Sequence, residues 1–323
     1  MVTPTTLLNV SLLVKLVFGL KNERPPSLKV YQGTEATEGM FPSIGSVFLM
    51  DYQRGIRRCG ATLIDYEWAV SAAHCFCNRT TGKPQNFLIA NFIIGDVDYI
   101  IRSEWHQEAS FEYIIHEEYN YTNDQNDIAL LHLEPKLRTT EYVKPQKLST
   151  SPIEEVKYGN CQVAGWGKKS ETVQTTKLLY ANLSLTNNSE CEDMWNNFDS
   201  STMLCAGSLE SDACMGDSGG PLYCTKENSK EPEVVGIVSF GVSICEPSIT
   251  GVYVKVSAYN EWIKDKTANA SVLWIILSCV IGVIIIVLIV LLVIYKRRKN
   301  ETEPNIYESM HARPNPSQYT RLT

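Results

Sequence analysis

Three kinds of apolar pattern divide this chain. Between residues 30 and 256 the apolar residues come in short bursts: Ile44–Met50, Thr62–Ile64, Phe87–Ile94, Ile128–Leu133, Val234–Phe240 and Val252–Val256. Clusters of Gly, Pro, Asn and Asp separate them, which predicts strands rather than helices. One helical stretch stands out near the end, from Ala258 to Lys266. No internal repeat or low-complexity tract interrupts the region. About 230 residues of short strands is the size of an all-β sandwich or barrel, and periodicity does not choose between the two.

The two ends follow other patterns. Leu7 to Leu20 is a fourteen-residue apolar run broken by Asn9, Ser11 and Lys15. It is short for a membrane span and suits a secretory signal over residues 1–20, with an uncleaved anchor as the alternative. Val272 to Tyr295 is different: 24 residues without a charge, dense in Ile, Val and Leu. A helix of that length spans a hydrocarbon core of about 30 Å. A core helix would rarely be so long and apolar all round. Lys296-Arg-Arg-Lys299 follows at once, and the positive-inside rule puts residues 296–323 in the cytosol. The expectation is a single-pass type I protein at the cell membrane, in contact with membrane lipid, with residues 268–271 as a juxtamembrane linker.

Composition narrows the function. Among 323 residues the formal net charge is −7, which gives no reason to expect nucleic acid as a partner. Of ten cysteines, Cys279 lies in the apolar segment and nine fall between Cys59 and Cys245. Outside the cytosol these favour disulfides, and nine leaves at least one thiol over. No metal-binding pattern is present, so no metal is expected. Asn78, Asn120, Asn182 and Asn187 stand in Asn-x-Ser/Thr triplets that suit a glycosylated ectodomain, and Asn269 is too near the membrane to serve.

The candidate chemistry starts in Asp212-Ala-Cys-Met-Gly-Asp-Ser-Gly-Gly-Pro221. Ser218 lies among glycines that allow a tight turn and a close approach by substrate. A serine hydroxyl needs a base, and the base needs an orienting group. The chain has five histidines. His311 is in the tail, and His106, His116 and His132 have no distinctive setting, which fits surface or packing roles. His74 follows Trp68-Ala-Val-Ser-Ala-Ala73 and precedes Cys75, a setting in which a disulfide could pin the imidazole. Asp127, in Asn126-Asp-Ile-Ala-Leu-Leu131, leads into an apolar strand, where a buried carboxylate would need a partner such as an imidazole N–H.

Taken together, Trp68–Cys75, Asn126–Leu131 and Gly216-Asp-Ser-Gly-Gly-Pro221, in this order, resemble the three signature blocks of trypsin-like (chymotrypsin-family) serine proteases. The resemblance runs from about Val30 to Lys266. It implies two six-stranded antiparallel β-barrels with a C-terminal helix, and a peptidase domain over residues 30–267. It also implies a triad in which Ser218 attacks, His74 carries the proton and Asp127 orients the ring. Gly216 and Ser218 would supply the oxyanion hole. Ser239 matches the serine that hydrogen-bonds the buried aspartate. Asp212 matches the base of the primary specificity pocket, with Gly241 and Gly251 on its walls and Phe240 beside them. Ala213 offers a lysine no hydroxyl, which favours cleavage after Arg over Lys.

Residues 21–29 then read as an activation propeptide. Cleavage after Lys29 by a trypsin-like protease would free the Val30 amine to pair with Asp217. Tyr31 and Gln32 depart from the usual residues there, as do Phe240 and Ile244 near the substrate channel. The implied disulfides are Cys59–Cys75, Cys161–Cys224, Cys191–Cys205 and Cys214–Cys245, leaving Cys77 over. Protein or peptide substrates with Arg or Lys before the scissile bond, and protein protease inhibitors, are the implied partners; no cofactor is implied. A competing reading takes the ectodomain as a non-catalytic receptor working through the tail tyrosines Tyr307 and Tyr319.

Overall fold

The computed structural model describes residues 33–78, 80–167, 175–208, 217–241 and 250–302, and for 269–280, 297 and 299–302 the backbone alone. Thirteen strands are formed among them. After β1 (Thr34–Glu35), six close into a first barrel: β2 (Ile44–Met50), β3 (Ile56–Asp65), β4 (Trp68–Ser71), β5 (Ile89–Ile94), β6 (Gln107–Ile115) and β7 (Ala129–Glu134), paired in the order β2-β3-β4-β7-β6-β5. The second set is β8 (Tyr158–Gly165), β9 (Leu179–Thr186), β10 (Met203–Gly207), β11 (Pro221–Lys226), β12 (Pro232–Phe240) and β13 (Gly251–Lys255). Their order is β9-β10-β13-β12-β11-β8, closed by pairing of β8 with β9, and β1 pairs with the first two residues of β9. The fold is two six-stranded antiparallel barrels, which settles the choice that periodicity left open.

Each barrel is filled by inward side chains. Val47, Leu49, Leu63, Phe92 and Leu131 are completely buried in the first. A Cβ on Gly45 would strike the Phe92 ring, so glycine in β2 is what lets that ring cross the barrel. The second barrel packs Val163, Leu183, Leu204, Leu222, Val235 and Tyr253 around the Cys161–Cys224 disulfide. Between the barrels, the buried hydroxyls of Ser43 and Tyr223 share a hydrogen bond of 2.8 Å, and the Phe41 ring stacks on Tyr223 at 5.4 Å.

Three expected disulfides are formed: Cys59–Cys75, Cys161–Cys224 and Cys191–Cys205. The pairing Cys214–Cys245 lies outside the described residues. Cys77 is a buried free thiol. Burial pushes its pKa up to about 11, with the Asp127 charge adding to this and Arg57 opposing it.

Two helices accompany the barrels. The short α1 (Asn188–Met194) was not visible as an apolar pattern; Asn187 caps it by accepting from the Glu190 amide at 3.1 Å. The helix expected over 258–266 begins later and runs much further, as α2 (Asn260–Thr302), preceded by a 3₁₀ turn over Val256–Tyr259. It passes through residues 268–271 without a break. The chain divides into two compact units, Met1–Ile263 and Lys264–Thr323. In the second, the side chains of Ile281–Tyr295 are largely exposed. Among the described residues no helix is long and apolar enough to cross a membrane.

Candidate active site

His74 lies in a 3₁₀ turn (Ala73–Cys75) that follows β4. The buried strand Trp68–Ser71 fixes where the turn starts, and the Cys59–Cys75 bridge ties its end back to β3. From β3, Arg57 Nη1 donates to the carbonyls of Cys75 at 2.6 Å and Cys77 at 3.0 Å, bracing the chain just beyond the histidine. Only 6% of His74 is exposed.

Asp127 precedes β7 and is completely buried. Its Oδ1 accepts from the His74 amide at 2.8 Å, and its Oδ2 accepts from His74 Nδ1 at 2.7 Å and from Ser239 Oγ at 2.6 Å. Burial pushes the carboxyl pKa up. The His74 charge and these hydrogen bonds outweigh burial and hold it below the usual carboxylate value. An ionised carboxylate only accepts, so Nδ1 carries the ring proton in this pair. In the neutral ring that leaves Nε2 with its lone pair. Nε2 is buried and makes no hydrogen bond among the described residues, so it is free to accept a proton.

Ser218 sits on a tight bend gripped from both barrels. The Gly60 amide of β3 donates to the Ser218 carbonyl at 2.8 Å, and the Gly219 amide donates to Val238 of β12 at 2.8 Å. Gly219 has φ +79, and a Cβ there would lie 2.5 Å from the Gly60 carbonyl oxygen. No other residue satisfies both the conformation and the space. Asp217 beside it is 2% exposed, and its Oδ1 accepts from the Gly167 amide at 2.8 Å. A Cβ on Gly167 would come to 2.5 Å from the same carboxylate, and one on Gly165 would overlap it. The segment around Trp166 is therefore shaped to receive this acid.

Ser239 and Phe240 end β12, and Gly241 follows. A Cβ on Gly241 would lie 3.7 Å from Gly251 Cα, so the two glycines face each other. Phe240 meets Trp195 edge to face at 5.3 Å, and Trp195 Nε1 donates to the Thr250 carbonyl at 3.0 Å. Asp212, Ala213, Gly216, Lys29 and Val30 lie outside the described residues, as do Gln32 and Ile244. Ligand atoms of Cys59, His74 and Cys75 cluster closely enough to suggest a metal centre. Both sulfurs are spent in a disulfide, so the chemistry of that donor set rules it out.

Other residues fell outside the sequence expectations. His106, expected at the surface or in packing, is instead bound through Nδ1 to the buried Asp96 carboxylate. His116 and His132 do pack against aromatic rings, Tyr259 and Trp262 for the first and Trp68 for the second. The brace from Arg57 and the cradle at Gly165 and Gly167 carry no local signature, because their roles depend on distant segments. Among the triplet asparagines, Asn120, Asn182 and Asn187 are exposed, while Asn78 is half-buried and accepts from the Thr80 amide at 2.9 Å.

The family profile described as Trypsin matches residues 30–263. The chain belongs to the trypsin family. Tissue-type plasminogen activator of Bos taurus is 33% identical over 270 residues, 77% of this chain and 46% of that protein. Trypsin-1 of Salmo salar is 33% identical over 221 residues, 67% of this chain and 83% of its own length. This trypsin-family chain thus spans about half the length of the plasminogen activators it matches and most of the fish trypsins. It carries a serine endopeptidase domain, and its described disulfides and barrels are those of the family fold.

Proposed function

We propose that the chain is a membrane-anchored serine endopeptidase that hydrolyses protein or peptide substrates after Arg, and less readily after Lys. The observation that carries the reading is the buried hydrogen-bonded series Ser239–Asp127–His74 with an unengaged Nε2, together with a serine on a glycine bend whose carbonyl oxygen lies 3.8 Å from Sγ of Cys75, the neighbour of His74. In this reading Ser218 Oγ attacks the scissile carbonyl carbon as its proton passes to His74 Nε2. The imidazolium that forms is stabilised by Asp127, whose carboxylate is already ionised and oriented. The negative oxygen is met by the amides of Gly216 and Ser218, each donor contributing about 2.7–4 kcal/mol in sites of this kind. The leaving amine takes the proton from Nε2, and water repeats the sequence to release the acyl group from Ser218.

Asp212 supplies the charge for a basic side chain, and Gly241 and Gly251 leave room for its length. The enzyme is made as a zymogen. Cleavage after Lys29 by another trypsin-like protease frees the Val30 amine, which pairs with Asp217. A buried carboxylate gains most from an opposite charge, so formation of this ion pair works as the switch. Support comes from the burial of Asp217 and from the glycines that cradle it. The domain faces the outside of the cell, held by the apolar segment Val272–Tyr295 with Lys296–Lys299 on the cytosolic side. Asn78, Asn120, Asn182 and Asn187 are its glycosylation sites, and protein inhibitors compete at the same cleft.

The test uses full-length chain in detergent, cleaved with immobilised trypsin that is then removed. Turnover of an Arg-terminated peptide amide that disappears in Ser218→Ala supports the reading. Cleaved wild type as inert as Ser218→Ala would overturn it in favour of a non-catalytic receptor.

A further inference from the structure

The segment that carries Asp127 is not held by its own barrel alone. Residues 116–128 connect β6 to β7, with the His116 amide donating to the Ile128 carbonyl at 3.1 Å to close the base. Beyond that closure, polar groups of the second half of the chain reach in. Gln125 Nε2 donates to the Asn197 carbonyl at 3.1 Å, and Asn197 Nδ2 donates to the Asn123 carbonyl at 2.9 Å. Thr202 Oγ1 donates to Gln125 Oε1 at 3.2 Å. Tyr259, in the 3₁₀ turn before α2, donates from its hydroxyl to Asn126 Oδ1 at 2.9 Å.

Of these contacts, the Tyr259 hydroxyl is the one that reaches Asn126, the neighbour of Asp127. Its φ is +55, a left-handed conformation that asparagine tolerates better than most residues but does not prefer. The conformation is held at three points. Oδ1 takes the Tyr259 hydroxyl, Nδ2 donates to the Glu118 carbonyl at 3.0 Å, and the Asn126 carbonyl accepts from the Ile128 amide at 2.8 Å. Asp127 is the residue enclosed by that last bond. A change at Asn126 therefore rotates the Asp127 backbone, and the two oxygens that meet His74 and Ser239 move with it. Tyr259 is 4% exposed, and its ring is packed edge-on against His116 at 5.4 Å. Its hydroxyl has a fixed place from which to act.

We propose that Tyr259 is a positioning residue for the hydrolytic reaction: it locks Asn126 in the left-handed conformation and thereby fixes the Asp127 carboxylate against His74. This rests on the reading of Asp127 as the group that orients the catalytic imidazole. The consequence is that the last turn before α2 is part of the catalytic support, and the triad depends on how the C-terminal end of the domain is seated.

The test uses the full-length chain, with active sites counted by a covalent serine reagent. Tyr259→Phe removes one oxygen and keeps the ring. It is expected to lower kcat about tenfold with KM within twofold, because substrate contacts are untouched. Asn126→Ala should lower kcat further, and the double variant should be no worse than Asn126→Ala alone, since the proposed route from the hydroxyl to Asp127 runs through Asn126. A tyrosine that merely stabilised the fold would reduce the number of titrated sites and leave kcat per site unchanged. Tyr259→Phe with kcat within twofold of wild type, or losses that multiply in the double variant, would overturn the proposal. A second measurement is independent of turnover: the deshielded, slowly exchanging proton of the His74–Asp127 pair, observed by NMR in Ser218→Ala. It should broaden or vanish when Tyr259→Phe is added, and its persistence unchanged would refute the positioning role. If wild type shows no Ser218-dependent turnover, the endopeptidase reading falls while this proton measurement still decides the role of Tyr259.

Discussion

Replacing Ser239 by alanine removes one hydrogen bond from a completely buried carboxylate and little else. Ser239 Oγ lies 2.6 Å from Asp127 Oδ2, and the two residues are 7% and 0% exposed, so water cannot readily substitute. A hydrogen bond to a charged group typically contributes about 1.5–3 kcal/mol. Asp127 keeps both bonds from His74, which places the expected loss near 2 kcal/mol by the same scale. For a domain of this size that is a fall in Tm of about 4–8 °C. The pH dependence follows from the direction of the Asp127 shift. The folded carboxyl titrates below its ordinary value of 3.8, so the stability it contributes is fully present above that value and is lost as pH falls through the folded one. The gap between Ser239→Ala and its parent should be constant from about pH 5 to pH 8 and should close on further acidification. Both proteins are made on a Ser218→Ala background to prevent self-cleavage and melted across that range. A Tm difference under about 1 °C at neutral pH would refute the reasoning, as would a gap that stays undiminished well below the carboxylate range.

Further outcomes follow from other contacts. Gly167→Ala puts a Cβ 2.5 Å from the Asp217 carboxylate, so it should lower peptide-amide kcat at least a hundredfold with little change in folding; kinetics beside circular dichroism check this. Cys77, buried with its thiol raised to about 11, should react with iodoacetamide at neutral pH far more slowly than an exposed thiol and label rapidly once the chain is denatured, as mass spectrometry would show. Glu233 is 6% exposed between Lys147 at 2.8 Å and Lys226 at 3.0 Å. Its carboxyl is held below the usual value because these lysines outweigh the upward push of burial. Glu233→Gln should destabilise by about 1–2 kcal/mol at neutral pH, discounted for the exposed Lys147, with a difference that fades below the carboxylate range in urea titrations.

What the sequence discloses depends on how local the physical cause is. Continuous apolar bursts located β2, β7, β12 and β13, because those strands are buried along most of their length. The burst over β5 also located a strand, although only Phe92 and Ile94 of it are buried. Strand β9, Leu-Tyr-Ala-Asn-Leu-Ser-Leu-Thr, alternates between buried and exposed positions, and a search for runs passes over it although period-two patterning marks it. The helix α1 is announced by Asn187 and Glu190 at capping spacing rather than by any apolar face. Helix α2 runs on past Lys266 because nothing in Lys266–Ala270 stops a helix. In the site, His74, Asp127 and Ser218 were legible because each stands in a short motif. Arg57, Gly165 and Gly167 were not, since each acts on a residue many positions away. Asn126 stands in the same motif as Asp127, but the Tyr259 hydroxyl that holds it comes from a distant segment.

The central claim is that His74 activates Ser218 for attack on a carbonyl. The most direct measurement is covalent labelling of trypsin-cleaved full-length chain with a fluorophosphonate, with the modified residue located by mass spectrometry. The account predicts a single adduct on Ser218, formed only after cleavage at Lys29 and lost in His74→Ala. Labelling that persists without His74, or a cleaved chain that takes up no reagent at Ser218, would contradict it.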